Sequence, residues 1–322
     1  MRKKLSFGLL MAMLLLFNIA FAQPSAPADK AIYEYVKALG KLDSLNMGSI
    51  SYTITKKYPD NRDKVRAIFD WITLNISFDL KAGKTSGNEK TNTEDILKTR
   101  KATAAGYAAL FQDMCSVVKI RCLTVDGYIK RTVEDINEKP DEKNHTWAVV
   151  QLGQSPDTWH YVDPTLGSGF TDDKLSKYTP AYNEQYFFAN KVIFNLQHFP
   201  DNMAWQLGAG PKTLKEFLSY PLLKNDAYTF GITQFLPLGG YIKAKLNKPV
   251  KFSIKTTAVQ EPIQIVAIKT GTEKKFRTKT VNHTIADGSI NFNFEFDTED
   301  SYPAVLLINN KPVLVYFAEV EE

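Results

Sequence analysis

The sequence predicts an α+β protein with two domains, a helix-and-strand domain at about residues 30–222 and a β-sandwich at about 226–322. Up to residue 221, apolar residues recur at helical spacing and in short strand-like runs, whereas only strand patterns follow. Six or more short strands in about 95 residues are typical of an immunoglobulin-like sandwich. The 322 residues, of which 12% are aromatic, are enough for two packed cores.

Residues 1–22 have the pattern of a secretory signal peptide. The basic stretch Arg2–Lys4 precedes an apolar run, and Ala20-Phe21-Ala22 fits the small-x-small cleavage pattern. The alternative, a membrane anchor, would need a longer apolar run. Residues 23–29 are predicted to form a flexible leader. We therefore expect an exported protein, periplasmic or secreted, without a stable membrane anchor.

The charge balance excludes some classes of partner and cofactor. The predicted signal peptide holds three of the 40 basic residues, so the mature chain has 37 of them against 35 acidic residues. A nucleic-acid-binding protein would need a concentrated basic face, so no nucleic-acid partner is expected. The sequence has no glycine-rich phosphate loop and no metal-type cluster of cysteine and histidine, so neither a cofactor nor a metal is expected.

Four helices are predicted ahead of the first strand. The second is the best defined, because Asp60 can cap it and Val65, Ile68 and Ile72 share one face. A polar stretch with two glycines at residues 81–92 is predicted to be a loop. The four helices are expected near residues 32–42, 60–76, 94–99 and 104–118.

Strand patterns begin after the fourth helix. In the first domain we expect strands at 122–130, 144–152 and 158–163, and a further helix at 211–219. In the second domain the clearest strand is 290–296, where apolar and polar residues alternate. Further strands are expected at 250–256, 263–269, 276–284, 304–308 and 313–318, the last two joined by a hairpin turn at 309–312.

Three segments carry residue types suited to acyl-transfer chemistry. Residues 103–111 open the fourth helix, residues 144–149 open a strand, and residues 160–165 end the next strand. The N-terminus of a helix can stabilise a thiolate or an oxyanion. A histidine oriented by an aspartate can act as the base, and His145 and Asp163 have these residue types. No cysteine stands at the head of the helix.

These segments resemble the transglutaminase-like superfamily, which has a papain-like fold. In that family the nucleophilic cysteine stands two residues before Gly-Tyr-Ala, so Gly106-Tyr107-Ala108 places the cysteine position on Ala104. The family histidine maps to His145, which would be the base, and the family aspartate maps to Asp163, which would orient it. The resemblance therefore implies a catalytic triad whose nucleophile is missing.

The resemblance covers about residues 55–220, more than the three segments themselves. Residues 64–79 resemble the leading helix of the family and the segment after it. Residues 198–207 resemble a block found in the kyphoscoliosis peptidase-like branch. The chain departs from the family pattern at Lys119 and Ala148 as well, but only the alanine at position 104 bears directly on activity.

Neighbouring residues are candidates for supporting roles. Thr103, Ala105 and Trp147 are candidates for the wall of a binding cleft. The hydroxyl of Thr103 should project away from the nucleophile position, so it is not expected to attack a substrate. Strand alternation places His160 on the face opposite to that of the strand's last residue, and His160 and His198 are both expected to be structural.

The two cysteines, Cys115 and Cys122, have two possible states. In an exported protein their spacing permits a disulfide between the end of a helix and the start of a strand. Two buried free thiols are the alternative. Neither can replace the nucleophile, because Cys115 lies about 16 Å along the helix from Ala104.

Three functions are compatible with these observations. The first is an exported transglutaminase-like pseudoenzyme that binds a protein, a peptide or a cell-envelope polymer. The second is a cysteine peptidase, amidase or transglutaminase whose natural cysteine has been replaced by Ala104. The third is an adhesion or interaction protein that acts through the β-sandwich. The first is preferred, because a methyl group cannot attack a carbonyl carbon.

Overall fold

The computed structural model describes residues 27–85, 92–172, 174–257, 259, 261–272 and 275–322. Helices and strands are mixed in the first part of the chain, and strands dominate after residue 230, as the sequence predicts. The predicted signal peptide at 1–22 lies outside the described residues. Among those residues, no helix is long and apolar enough to cross a membrane.

The first part of the chain is built around one buried helix. The helices before the central sheet are α1 (Pro27–Leu39), α2 (Met47–Thr55), α3 (Asn61–Asn75), α4 (Leu80–Thr85), α5 (Thr93–Thr99) and α6 (Ala104–Val117). Every residue of α3 from Val65 to Thr73 is buried. This helix packs against α1, α2 and α6. It therefore forms the centre of the helical layer.

The leader predicted at residues 23–29 is wrong at its end, because α1 begins at Pro27, and residues 23–26 lie outside the described part of the chain. The buried side chain of Asp29 explains why the helix begins this early. Its carboxylate lies 2.6 Å from the guanidinium of Arg62 and 3.2 Å from that of Arg66. These ion pairs attach the start of α1 to α3, which no local pattern in the leader could indicate.

The predicted loop at 81–92 is partly wrong, because α4 occupies its first residues. The Asp79 carboxylate accepts hydrogen bonds from the backbone N–H groups of Lys81 and Ala82, both at 3.0 Å. This cap satisfies N–H groups at the start of a helix that has no clear apolar period. Residues 86–91 lie outside the described part of the chain.

A four-stranded antiparallel sheet packs against α6. The strands of this part of the chain are β1 (Ser77–Phe78), β2 (Lys101–Ala102), β3 (Arg121–Ile129), β4 (His145–Gln151), β5 (Trp159–Val162), β6 (Gly169–Thr171), β7 (Tyr178–Pro180) and β8 (His198–Pro200). The sheet order is β5-β4-β3-β8, and neighbours are antiparallel. The starts of β4 and β8 therefore lie beside the end of β3, at the same end of the sheet as the end of β5.

Short helices connect the sheet to the rest of the molecule. They are α7 (Pro164–Ser168), α8 (Lys191–Gln197), α9 (Leu214–Ser219) and α10 (Asp226–Thr229). The helix predicted at 211–219 begins three residues later, because Thr213 is its N-cap. The Thr213 hydroxyl accepts a hydrogen bond from the Glu216 backbone N–H at 3.1 Å.

Two sheets follow in the described C-terminal part. Their strands are β9 (Leu222–Leu223), β10 (Ile232–Leu236), β11 (Tyr241–Lys245), β12 (Pro249–Thr256), β13 (Val266–Thr272), β14 (Lys275–Thr280), β15 (Thr284–Ala286), β16 (Ser289–Glu295), β17 (Asp300–Ile308) and β18 (Lys311–Glu321). One sheet has the order β10-β12-β16-β15, and the other has the order β11-β18-β17-β13-β14 with β9 paired to β18. The rings of Phe252 and Tyr316, one from each sheet, are 5.6 Å apart, so the sheets share a core.

The single strand predicted at 276–284 is divided in the structure. β14 belongs to one sheet and β15 to the other, so the chain crosses between the sheets at 281–283. Val281 is buried at the crossing, and its N–H donates to the carbonyl of Val266 at 2.9 Å. The immunoglobulin-like class and the domain boundaries stay predictions.

Gly127 sets how closely β3 approaches its neighbours. It pairs with His145 on one side and with Pro200 on the other. A Cβ at this position would lie 2.3 Å from the carbonyl oxygen of Phe199 and 2.6 Å from the ring of Trp147. One of these groups is backbone and the other is a fully buried ring, so neither can move away easily.

We expect Gly127→Ala to lower the free energy of unfolding by at least about 2 kcal/mol, because the added methyl group overpacks the sheet. Gly239→Ala is the matched control. Its Cβ would meet only the carbonyl oxygen of Tyr241 at 3.7 Å, so the change should stay within about 0.5 kcal/mol. Urea unfolding followed by tryptophan fluorescence measures both. Equal values for the two variants would contradict the close approach at Gly127.

Candidate functional site

Helix α6 packs against the central sheet, and its first residue is the predicted nucleophile position. Thr103 is the N-cap, and its hydroxyl accepts a hydrogen bond from the Gly106 backbone N–H at 3.3 Å. This bond directs the hydroxyl toward the helix backbone. Ala104 is the first residue of the helix and is 4% exposed. The backbone N–H groups at this end give it partial positive charge.

His145 and Asp163 meet at one end of the sheet. His145 is the first residue of β4, Asp163 follows β5, and the pairing of Ala148 with Val162 brings these ends together. Nε2 of His145 lies 2.7 Å from Oδ2 of Asp163. With Nε2 engaged in this way, Nδ1 is the ring nitrogen that remains for a second partner. The roles of base and orienter stay predictions.

Asp163 is fully buried, and both of its oxygens are used. Oδ1 accepts from the backbone N–H groups of Thr165 at 2.9 Å and Leu166 at 3.0 Å, so Asp163 caps α7. Burial by itself would raise the pKa of Asp163, but the charge and hydrogen bonds of His145 and His198 hold it well below its usual range. The carboxylate is therefore ionised at neutral pH.

His198 joins this pair as a third member. Its Nε2 lies 3.1 Å from Oδ2 of Asp163, and its Nδ1 lies 3.2 Å from the carbonyl oxygen of Phe194. Its ring also stacks on that of Phe194, with centroids 3.7 Å apart. Burial lowers the pKa of His198 to about 4, because it disfavours the charged form.

The sequence predicted only a structural role for His198. Its position depends on the pairing of β8 with β3, where His198 lies opposite Ile129. No local periodicity indicates a pairing between strands this far apart in the chain. The one available signal was the block at 198–207 that resembles the kyphoscoliosis peptidase-like branch.

The cluster offers a set of possible metal ligands. The ligand atoms of His145, Asp163 and His198 all lie within 4.8 Å of one another. Imidazole nitrogens and a carboxylate oxygen are ligands that divalent transition metals accept. The three residues are far apart in the chain, so no spacing motif indicated this group, and the expectation that no metal is bound stays a prediction.

The surroundings of the cluster are closed. Trp147 is fully buried, with its ring centroid 6.3 Å from that of His145 and 5.2 Å from that of His198. It therefore packs behind the histidines and does not form an open wall. His145 is 3% and Ala105 8% exposed, so only a narrow part of the predicted cleft reaches the surface. His160 lies outside the cluster and stacks on Phe188.

A hydrogen bond connects the head of α6 to the helix that Asp163 caps. The Ser168 hydroxyl in α7 donates to the Tyr107 hydroxyl at 3.0 Å. Tyr107 in turn donates to the carbonyl oxygen of Ile76 at 2.7 Å. Since Tyr107 lies less than one turn after Ala104, these bonds hold the start of α6 beside α7.

The two cysteines are free and buried. The thiol of Cys115 is hydrogen-bonded to Cys122, and burial raises the pKa of Cys115 well above its usual value. A thiol in this state is a poor nucleophile. Of the two states that the sequence left open, the structure therefore has the free thiols.

Comparison with known proteins assigns the family. A family model described as the transglutaminase-like superfamily matches residues 48–164. This part of the chain belongs to the transglutaminase-like superfamily. The matched range contains Ala104, His145 and Asp163, whereas His198 lies beyond it.

Similar proteins support the branch as well as the superfamily. Kyphoscoliosis peptidase of Mus musculus is 33% identical over 227 residues, which are 70% of this chain and 34% of that protein. Kyphoscoliosis peptidase of Homo sapiens is 37% identical over 187 residues, 58% of this chain and 28% of that protein. Hillarin of Drosophila melanogaster is 24% identical over 192 residues, which are 53% of this chain and 22% of that protein. The chain thus spans about a third or less of the length of these relatives.

We expect Asp163→Asn to lower the free energy of unfolding by about 3 kcal/mol, because the two buried histidines lose the negative charge of the carboxylate that both contact. The asparagine oxygen can still cap α7, so the lost stability reports the contribution of the negative charge alone. Asp201→Asn is the control, since that carboxylate is 51% exposed and pairs with Lys143 at 3.3 Å. It should cost less than about 1 kcal/mol. Urea unfolding at pH 7 that gave the same small cost for both would contradict a buried shared charge.

Proposed function

We propose that the chain is a transglutaminase-like pseudoenzyme, which keeps the frame of a thiol acyl-transfer site and lacks the nucleophile. The observation that carries the proposal is the alanine at position 104, the first residue of α6, in a chain whose His145 and Asp163 form the pair expected of the site. In this proposal Ala104 occupies the position of the family cysteine. An alanine methyl group cannot form a covalent acyl intermediate.

Neither cysteine of the chain is placed to take over the reaction. Cys115 lies eleven residues along α6 from Ala104, or about 16 Å at the rise of an α-helix. Its thiol is fully buried, is not in a disulfide, and is hydrogen-bonded to Cys122. The hydroxyl of Thr103 caps the helix. These contacts support a site without covalent chemistry.

We infer that the pseudoenzyme is exported and binds a protein, a peptide or a cell-envelope polymer. The predicted signal peptide supports export. The ring of His145 supports an amide-containing ligand, because Asp163 engages its Nε2 and leaves Nδ1 for a second partner. The ligand would meet this pair through a narrow opening, since Ala104 and His145 are 4% and 3% exposed. The C-terminal sheets, which we propose to be immunoglobulin-like, offer a second surface.

A second candidate is a cysteine peptidase, amidase or transglutaminase whose natural chain has cysteine at position 104. The retained bond between His145 and Asp163 favours it, because orienting an imidazole has a direct use only beside a nucleophile. The thiol would give its proton to His145 and attack the carbonyl carbon, and the leaving amine would take that proton. Water or another amine would then release the acyl group. The relatives named peptidases support this chemistry.

We expect Ala104→Cys to create a thiol that iodoacetamide alkylates at least about tenfold faster at pH 7 than the thiol of Ala105→Cys, because only the first faces a base in the proposed frame. The control position is matched, since both alanines are buried at the start of α6. Adding His145→Gln to the Ala104→Cys variant should remove the difference. Equal rates in all three variants would contradict the placement of Ala104 at the nucleophile position.

The pseudoenzyme proposal itself is tested on the unaltered chain, with casein as amide donor and a fluorescent primary amine as acceptor. We expect no incorporation and no peptide cleavage by the chain with Ala104. Turnover that disappears with His145→Gln would overturn the proposal. Sequencing codon 104 of the source gene separates a natural alanine from a replaced cysteine.

A further inference from the structure

Both ring nitrogens of His198 face hydrogen-bond acceptors, but a neutral imidazole has only one N–H to donate. Its Nδ1 faces the carbonyl oxygen of Phe194 at 3.2 Å, and its Nε2 faces the carboxylate of Asp163 at 3.1 Å. A backbone carbonyl and an ionised carboxylate can only accept hydrogen bonds. A neutral imidazole carries one N–H, so it can satisfy one of the two. The other nitrogen then presents its lone pair to an acceptor.

A cation between the ring and the carboxylate resolves this conflict. A second proton on His198 would do so at the cost of a charged ring that is fully buried. A metal ion would instead use the lone pair of Nε2. In that case Nδ1–H donates to the carbonyl of Phe194, which is the usual outer contact of a metal-bound histidine.

We propose that His145, Asp163 and His198 form a binding site for a divalent transition metal, with zinc as the preferred ion. The three residues supply two imidazole nitrogens and one carboxylate oxygen, a ligand set that zinc accepts. Oδ1 of Asp163 is held by two backbone N–H groups, so Oδ2 is the oxygen that faces the ion. The proposal concerns the same cluster as the proposed function but requires neither a peptide ligand nor acyl-transfer activity.

The distances from the two nitrogens to Oδ2 need only a small change. Tetrahedral zinc ligands at their usual bond lengths lie about 3.4 Å from one another. The two nitrogens now lie 2.7 Å and 3.1 Å from Oδ2, so each would move outward by a fraction of an ångström. The side chains of His145, Asp163 and His198 are 4%, 0% and 0% exposed, which suits a small ion in a closed site.

A fourth ligand can be a water molecule. The Thr165 hydroxyl is buried and has no hydrogen-bond partner within the described ranges. It belongs to the residue whose backbone N–H binds Asp163. Hydrogen-bonding capacity therefore remains next to the cluster for a water bound to the metal.

The test uses the untagged full chain after treatment with a chelator. Cobalt(II) is added first, because cobalt(II) bound in a site of this type has visible absorption bands. Zinc is then added, and the loss of these bands shows that it displaces cobalt from the same site. We expect one zinc per chain after dialysis. His198→Gln and His145→Gln should each weaken zinc binding by at least about 100-fold. His283→Gln, at a histidine between β14 and β15, is the control and should leave the affinity unchanged.

Three results would overturn the proposal. The first is an unaltered chain that takes up no more zinc than the His198→Gln variant. The second is an equal loss of affinity in the His283→Gln control. The third is a nitrogen NMR spectrum showing both ring nitrogens of His198 protonated at pH 7 with zinc present. If a variant fails to fold, the unaltered chain still tests the proposal, because a chain without the site would show neither the cobalt absorption bands nor a zinc-dependent rise in Tm. Amide turnover by the chain would refute the pseudoenzyme and leave these measurements unaffected.

Discussion

The buried carboxylate of Asp163 is the group on which the rest of the site depends. One oxygen caps α7, and the other receives the side chains that open β4 and β8. A carboxylate with no exposed surface stays ionised only if such partners replace its water. The charge therefore orients His145 and His198 and connects three elements that are distant in the chain. Removing it would affect the fold and the site together.

An alanine at position 104, where we propose that the family has its nucleophile, leaves this arrangement intact because the head of α6 is built from backbone features. The cap by Thr103 and the positive end of the helix do not need a thiol, and alanine has the highest helix propensity of any residue. An alanine at this position thus costs the fold little. By contrast, a buried charge with two imidazoles costs free energy unless all its hydrogen bonds are made. The presence of such a cluster in a closed site favours a role beyond folding.

Local patterns predicted the elements around the site, and long-range contacts decided the rest. Apolar spacing predicted α6 to within a residue of its observed end, Ala104–Val117. The same patterns missed α4, which depends on the cap by Asp79, and the crossing between the sheets near Val281. His145 and Asp163 are 18 residues apart and were recognised through the family pattern. His198 is 35 residues from Asp163, and only the pairing of β8 with β3 brings them together.

The residue at position 104 decides which chemistry the cluster can serve. In a thiolate–imidazolium pair, His145 must carry protons on both ring nitrogens, one toward sulfur and one toward Asp163. A metal bound at Nε2 occupies the site of the second proton, so thiol catalysis and metal binding compete for the same atom. With alanine at 104, no thiolate requires that proton, and the lone pair of Nε2 is available to an ion. In the two proposals taken together, the alanine that removes the nucleophile also leaves Nε2 of His145 available to the metal.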